Sequence, residues 1–299
     1  MMILVTGSDG QVGYELLRAL APYGRVTGLT RADGDLSNAA TVGALLDKYQ
    51  PRCIVNAAAY TAVDQAESDP TAAEALNSRL PSQLAAWAKA NDASLIHYST
   101  DYVYDGSGSR PWKEDDPVGP LSVYGKTKLA GDQAIIDADI GAVIFRTSWV
   151  YGARGRNFML TMLKLAQERD ELNVVADQWG TPTPAWLIAQ VTSVAVRENL
   201  REKGSFKGLY HLTCRGDTNW CDFARTIMTD ARALGVALKI SLERVKPIPT
   251  MEYPAPAPRP LNSRLDVARL EQALGLELPH WEEALQLTVR DWTEYGRRS

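Results

Sequence analysis

The sequence is poor in the residues that mark several large protein classes. Cysteine occurs three times, as Cys53, Cys214 and Cys221. That odd, scattered set cannot build a disulfide framework and fits a reducing compartment. Each cysteine reads as a small core residue. Histidine also numbers three, none with a Cys or His neighbour at ligand spacing, so no metal site is expected. No apolar run approaches the roughly 18 residues that cross a bilayer. Neither sign of charge dominates: 32 Lys and Arg against 36 Asp and Glu give a formal net charge of −4. Such a chain carries no electrostatic footprint for nucleic acid or an anionic membrane. The opening Met-Met-Ile-Leu-Val-Thr lacks a basic segment and a cleavage site, and reads as a first strand rather than a leader. These absences point to a soluble, cytoplasmic protein.

What is present is a regular alternation. Apolar, β-rich runs at 2–6, 25–30, 53–59, 94–100 and 142–149 alternate with helical stretches at 11–21, 38–49, 71–90 and 122–137. In the first helix Val12, Leu16, Leu17 and Leu20 share a face. Near-continuous apolar strands between helices predict a parallel sheet covered on both sides, whose ligands bind beyond the carboxyl ends of its strands. The rest is less regular, with helices expected at 157–169, 185–198, 220–233, 267–274 and 281–295 and a strand at 209–213. Six prolines between Pro247 and Pro260 exclude a regular helix or central strand there and suggest a loop over the cleft. The fold class is therefore α/β: a doubly wound, Rossmann-type parallel sheet with a smaller, partly helical C-terminal domain. Residues 1–150 form the first unit, with a return of about 185–215 to it, and 151–299 mainly the second.

Chemistry-bearing residues sit where that plan needs them. Gly7-Ser8-Asp9-Gly10-Gln11-Val12-Gly13 follows the first strand and opens the first helix. Glycines there permit a tight turn and close backbone approach to a pyrophosphate, whose charge meets the helix N-terminus. The second strand ends Leu29-Thr30-Arg31, with no carboxylate in place for an adenine ribose. A guanidinium suits a ribose 2′-phosphate, which leans the cofactor toward NADPH, with NADH also acceptable because Asp33 and Asp35 lie close by. Asp35 and Leu36 either edge the adenine or, for Asp35, cap the next helix. Ser99-Thr100-Asp101 ends the fourth strand, and Tyr124 and Lys128 lie four apart on the following helix, on one face. A lysine one turn away brings a phenol toward neutrality. Tyr124 then serves as the proton donor to a developing alkoxide, Thr100 hydrogen-bonds the same oxygen, and Lys128 holds the nicotinamide ribose.

With these residues in hand the chain resembles the extended short-chain dehydrogenase/reductases, and within them the dTDP-4-dehydrorhamnose reductases. The likeness covers nearly the whole length: GQVG (Gly10 to Gly13), IVNAAAYTAVDQAE (Ile54 to Glu67), HYSTDYVYDG (His97 to Gly106), VYGKTKLAGD (Val123 to Asp132), RTSWVYG (Arg146 to Gly152), DQWGTPT (Asp177 to Thr183) and RPLNSRL (Arg259 to Leu265). The resemblance implies reduction of the C4 keto group of dTDP-4-dehydro-6-deoxy-L-mannose to dTDP-L-rhamnose. It implies catalytic roles at Thr100, Tyr124 and Lys128, and a cofactor lined by Gln11, Val12, Asp35, Leu36, Ala59, Tyr60, Thr61 and Tyr98. Thr100, Asp101 and Trp149 match sugar-contacting positions, a Trp face being a good platform for a sugar; the other reading of Trp149 is a plain core aromatic. Arg259 and Asn262 match positions where a diphosphate and base are clamped. Some relatives dimerise around a magnesium ion held by glutamates on three segments. Glu15 matches the first, but Trp186 and Trp292 fall at the others and offer no oxygen, so no metal is expected and the chain is a monomer or homodimer. The alternatives are another nucleotide-4-keto-deoxysugar reductase, an epimerase or dehydratase with retained NAD, or a non-catalytic NADP-binding regulatory subunit. Asp101-Tyr102 lacks the Glu that a dehydratase wants after the Thr, and an intact Thr100, Tyr124 and Lys128 argues against a regulatory role.

Overall fold

The computed structural model describes residues 1–202 and 204–295. Residues 203 and 296–299, part of the expected 151–299 unit, lie outside the described residues. Five strands succeed one another as anticipated: β1 (Met2–Thr6), β2 (Arg25–Leu29), β3 (Cys53–Asn56), β4 (Ser94–Thr100) and β5 (Val143–Thr147). A sixth, Gly208–His211, joins the far edge beside β5, one residue earlier than the sequence suggested. From that edge the order is Gly208–His211, β5, β4, β3, β1, β2, and every neighbouring pair is parallel.

Strand alternation separates two apolar layers. Ile3, Val5, Val55, Ile96 and Phe145 face one layer, where Leu16 and Leu20 of helix α1 (Gln11–Leu20) pack with Ile188 and Ala195 of helix Ala185–Arg201. Leu4, Ile54, Leu95 and Ile144 face the other, against Val42 and Leu46 of helix α2 (Ala39–Tyr49), Leu84 of helix Leu80–Ala90 and Ile135 of helix Val123–Asp137. Each enclosed Leu or Ile contributes about 1.5–3 kcal/mol on leaving water, so burial on both faces rather than helix propensity holds this half together.

Two expectations change. The long helix at 71–90 is three pieces: Pro70–Glu74, a π turn over Ala75–Arg79, and Leu80–Ala90. The wider turn carries Asn77, whose Oδ1 accepts from Tyr60 N at 2.9 Å while its Nδ2 donates to Tyr60 O at 3.0 Å. A tertiary contact therefore decides the local geometry. The prolines do keep 247–260 from becoming a regular helix or central strand, leaving one 3-10 turn at Thr250–Glu252, but Val245–Ile248 pairs in parallel with Leu172–Val175 as a two-stranded ribbon, where a missing N–H is tolerated. Helices Trp220–Ala233 and Trp281–Tyr295 fall on the boundaries that their apolar spacing implied. Among the described residues no helix is long and apolar enough to cross a membrane.

Candidate active site

The sheet order reverses between β3 and β2 around β1, and a crevice opens at such a switch point beyond the carboxyl ends of the strands. Here it is a cleft of about 1320 Å³. Its floor is the turn after β1. Gly7 sits at φ +65°, and a Cβ there would lie 2.9 Å from the Ala58 backbone. At Gly13 a Cβ would come within 2.0 Å of Gly7 O, so α1 can begin this close to β1 only without a side chain. Helix α1 is preceded by Gly10, which offers no side-chain cap, and this leaves first-turn N–H groups unpaired beside Gln11 and Val12.

Along the wall after β2 the residues separate by role. Asp33 accepts from Thr30 N at 2.8 Å and from Thr30 Oγ1 at 2.9 Å and does not line the cleft, whereas Arg31, Asp35 and Leu36 do. Asp35 does not cap α2, one of its two anticipated roles. Its Oδ1 accepts from Ser37 N at 2.9 Å, and the cap is Asn38, which accepts from Ala40 N and Thr41 N. Ala59, Tyr60 and Thr61 follow β3 on the same wall, held there by Asn77.

Thr100, Asp101, Tyr124 and Lys128 all line the cleft. Ser122 caps the helix Val123–Asp137, its Oγ accepting from Gly125 N at 3.1 Å, and this sets Tyr124 in the first turn with Lys128 one turn on. Tyr102 packs edge-on against the Tyr124 ring, centroids 5.5 Å apart. Burial raises the Tyr124 phenol above its ordinary range, while a hydrogen bond with Thr100 works against it. The sequence argument expected an acidified phenol, and here the structure differs. Lys128 Nζ is turned to the Tyr98 carbonyl at 2.5 Å and His97 Nε2 at 3.2 Å, so it is engaged with the strand rather than with the ring. Burial brings Lys128 down to about 8, partly offset by attraction to Asp132. Thr100 Oγ1 donates to Asp101 Oδ1 at 3.0 Å. Asp101 is 2% exposed, its Oδ2 has no partner, and burial pushes it up to about 6 against hydrogen bonds from Ser263 and Thr100.

Trp149 lines the cleft after β5 at φ +48°. One face stacks on Trp220 with centroids 3.6 Å apart and planes 12° from parallel, so it is neither a plain core aromatic nor free on both sides. Tyr98 lines the cleft, and its hydroxyl bonds Thr192 at 2.7 Å. Arg259 and Asn262 are not among the lining residues. Arg259 is paired with Asp64 at 2.7 Å, and Asn262 holds Ser107 O and Arg110 O. The lining also includes Arg79, Arg156 and Trp220, which sequence reasoning missed because they lie in segments without a motif. Among the described residues no group of three or more His, Cys, Asp or Glu side chains is gathered to hold a metal. Of the two tryptophans that fall where those relatives carry glutamates, Trp186 donates through Nε1 to Thr288 Oγ1.

Comparison with known proteins agrees with this geometry. The family model described as RmlD substrate binding domain matches residues 1–294. A dTDP-4-dehydrorhamnose reductase of Burkholderia thailandensis is 47% identical over 294 residues, covering 97% of this chain and 99% of the relative. The crystal structure of a dTDP-4-dehydrorhamnose reductase from Clostridium acetobutylicum superposes with a TM-score of 0.87 at 37% identity, covering 97% of this chain and 99% of that one. The Bacillus anthracis dTDP-4-dehydrorhamnose reductase, solved in complex with NADP, gives 0.87 at 31% identity with the same coverage. The chain therefore belongs to the RmlD substrate binding domain family, the family of these dTDP-4-dehydrorhamnose reductases.

Proposed function

We propose that this chain is an NAD(P)H-dependent oxidoreductase that reduces the C4 keto group of dTDP-4-dehydro-6-deoxy-L-mannose to dTDP-L-rhamnose, a cell-surface polysaccharide precursor. One observation carries the reading: Thr100, Tyr124 and Lys128 line the same cleft as the Gly7–Gly13 turn. The relatives' names support the substrate, and the NADP of the Bacillus anthracis structure supports the cofactor.

The turn suits a dinucleotide on its own geometry, because a Cβ at Gly7 or Gly13 would strike backbone and the uncapped start of α1 favours an anion. Gly7, Gly10, Gln11 and Val12 would hold the pyrophosphate. Asp35, Leu36, Ala59, Tyr60, Thr61 and Tyr98 would flank the nucleosides, and Lys128 would take the nicotinamide ribose. Arg31 facing the cleft while Asp33 is committed to Thr30 supports NADPH as donor, with NADH accepted. When bound, the reduced nicotinamide supplies a hydride. As the carbonyl carbon accepts it, the C=O electron pair moves to oxygen, and the Tyr124 hydroxyl hands that oxygen its proton. A phenol held above its usual range is fully protonated at neutral pH, the form that this direction requires. Thr100 turns its hydroxyl from Asp101 to the same oxygen. Asp101 and Trp149 contact the sugar, with Arg259 and Asn262 clamping the nucleotide base and diphosphate after Arg259 leaves Asp64. In this reading residues 1–150, with 185–215, serve the cofactor and 151–299 mainly the sugar, and the enzyme works in the cytoplasm as a monomer or homodimer.

The test is a coupled assay. Purified protein oxidises NADPH only when the keto sugar is added. Tyr124→Phe lowers turnover by at least about 10²-fold with cofactor affinity nearly unchanged. Unchanged turnover removes Tyr124 from the chemistry. Turnover confined to another nucleotide sugar, or a retained, non-exchanging NAD, redirects the reading to a neighbouring reductase or an epimerase.

A further inference from the structure

Behind Lys128 three polar side chains cross the sheet in register. Thr6 of β1 lies opposite Asn56 of β3, and Asn56 opposite His97 of β4. Their exposures are 1%, 1% and 0%. Sealed from water, such groups must satisfy one another. The direction of their bonds starts from a group that has no choice: the backbone N–H of Ala58 donates to Thr6 Oγ1 at 3.1 Å. The Thr6 hydroxyl donates to Asn56 Oδ1 at 2.6 Å. Asn56 Nδ2, 3.0 Å from His97 Nδ1, donates to it. Turning the Asn56 amide over would aim two N–H donors at Thr6 Oγ1 and strand the hydroxyl hydrogen, so the network selects one orientation. A neutral imidazole that accepts at Nδ1 carries its hydrogen on Nε2, and Nε2 lies 3.2 Å from Lys128 Nζ. Against an ammonium this contact is donor facing donor. Against an amine it is an N–H meeting a lone pair.

We propose that Thr6, Asn56 and His97 form a one-way hydrogen-bond chain, and that His97 is a positioning residue which presents an N–H to Lys128 and biases that lysine toward its neutral amine. The Tyr98 carbonyl accepts from Nζ in either form. The other groups around Nζ are Tyr124 one turn back and Asp132 one turn on; Asp132 Oδ2 is taken by Ser99 at 2.8 Å and Arg146 at 3.2 Å, its Oδ1 has no partner, and its carboxylate favours the ammonium and so works against the bias from His97. Burial keeps His97 itself from protonating, with repulsion from Lys128 adding to it, and lowers Lys128 as well. When the amine takes a proton from solvent, the His97 contact turns repulsive and directs the ammonium toward the cleft. The charge and the position of the lysine are thereby linked, and its availability beside Tyr124 falls off at a lower pH than an ordinary lysine would set.

The tautomer can be read without any assay, so its failure is distinct from failure of the reductase reading, on which only the kinetic consequence rests. The chain has three histidines. In ¹⁵N-histidine-labelled protein near pH 8, His97 is expected with its hydrogen on Nε2 and a pyridine-like Nδ1. His211 is the internal contrast. Its Nδ1 donates to the Asp266 carbonyl at 3.1 Å and its Nε2 accepts from the Tyr104 hydroxyl at 2.7 Å. A hydrogen on Nδ1 of His97, or a doubly protonated ring, overturns the proposal. Asn56→Asp reverses the chain, because a carboxylate only accepts. His97 then takes the other tautomer and offers Nε2 to an ammonium, and the basic limb of the kcat/KM profile moves up by about one pH unit or more. His97→Gln, which can accept from Asn56 and still turn its NH₂ to Lys128, keeps the limb near its original position. Thr6→Val cuts the chain at its anchor with little change of shape, and is expected to yield a mixture of His97 tautomers by the same NMR measurement. A basic limb unmoved in Asn56→Asp, or a single unchanged tautomer in Thr6→Val, sinks the one-way chain.

Discussion

Two polar clusters follow one another along one face of the helix Val123–Asp137, and they do different work. Toward the cleft stand Thr100, Asp101, Tyr124 and Lys128, of which Asp101 keeps an unpartnered oxygen and Thr100 donates to Asp101 and accepts from Tyr102 N. Toward the sheet edge stand Ser99, Tyr104, Asp132, Arg146 and His211. There Arg146 bridges Asp132 Oδ2 and the Tyr104 hydroxyl, at 3.2 Å and 2.9 Å, and Tyr104 stacks on Trp112 with centroids 4.8 Å apart and planes 3° from parallel. Apart from Tyr124, which is half-buried at the cleft, the members of both clusters are buried, so an unmet polar group is costly in each. The second spends most of its groups on one another, with Asp132 Oδ1 left over, and ties β4, β5 and the edge strand together. The first leaves capacity in reserve, and in the proposed reading the substrate draws on it. Both clusters leave a carboxylate oxygen unmet; what sets the first apart is that its residues line an open cleft.

Substitutions break this comparison from either side. The largest stability effect falls in the edge cluster. Arg146→Ala leaves Asp132 charged and without its cation, a loss of about 3–5 kcal/mol that chemical denaturation reads as a lower midpoint at unchanged slope. A loss under about 1 kcal/mol would mean that the cluster is not a structural tie. In the cleft the effect is smaller and depends on pH. Asp101 has a folded value of about 6 against an ordinary 3.8, so the folded state binds its proton the more tightly. Its contribution to stability is complete below pH 4, falls as pH rises through 6, and stays lost above. Asp101→Asn removes that dependence, so its stability relative to the parent should grow between pH 4 and 7 by on the order of 2 kcal/mol. A difference that stays flat with pH would show a carboxyl of ordinary acidity. Smallest is Asp64→Asn, which weakens a pair whose carboxylate is about half exposed. It should change the melting free energy by no more than about 1 kcal/mol. In the proposed reading it lowers KM for the nucleotide sugar by releasing Arg259, and an unchanged KM would remove Arg259 from the diphosphate.

Much of the site was legible because its residues sit at strand ends. Gly7 to Gly13, Thr100 and the Tyr124–Lys128 pair each follow an apolar run, and a parallel sheet carries such positions to one edge. The same rule held a signal that went unread. Thr6, Asn56 and His97 are polar residues within or at the close of runs that read MILVT, CIVN and SLIHYST, and a polar residue in a strand buried on both faces demands a partner. The partner is another strand's residue, which only register supplies. Asp35 was misjudged as a possible cap for a local reason, since Asn38 stands nearer the helix and makes the same bond. The π turn at Ala75–Arg79 was invisible because its cause, Asn77 gripping Tyr60, joins residues 17 apart.

The amino-acid order by itself determined the alternation of strands and helices, the two apolar faces of the sheet, the glycine turn and the spacing that puts Tyr124 above Lys128, because each follows from covalent geometry and the local period of burial. The tertiary structure alone decided the direction in which Lys128 points, the elevated phenol and the raised Asp101. It also decided the pairing of Arg259 with Asp64 and the stacking of Trp149 on Trp220. Those depend on which groups are brought together out of reach of water, and desolvation is a property of the assembled fold, not of any segment of it.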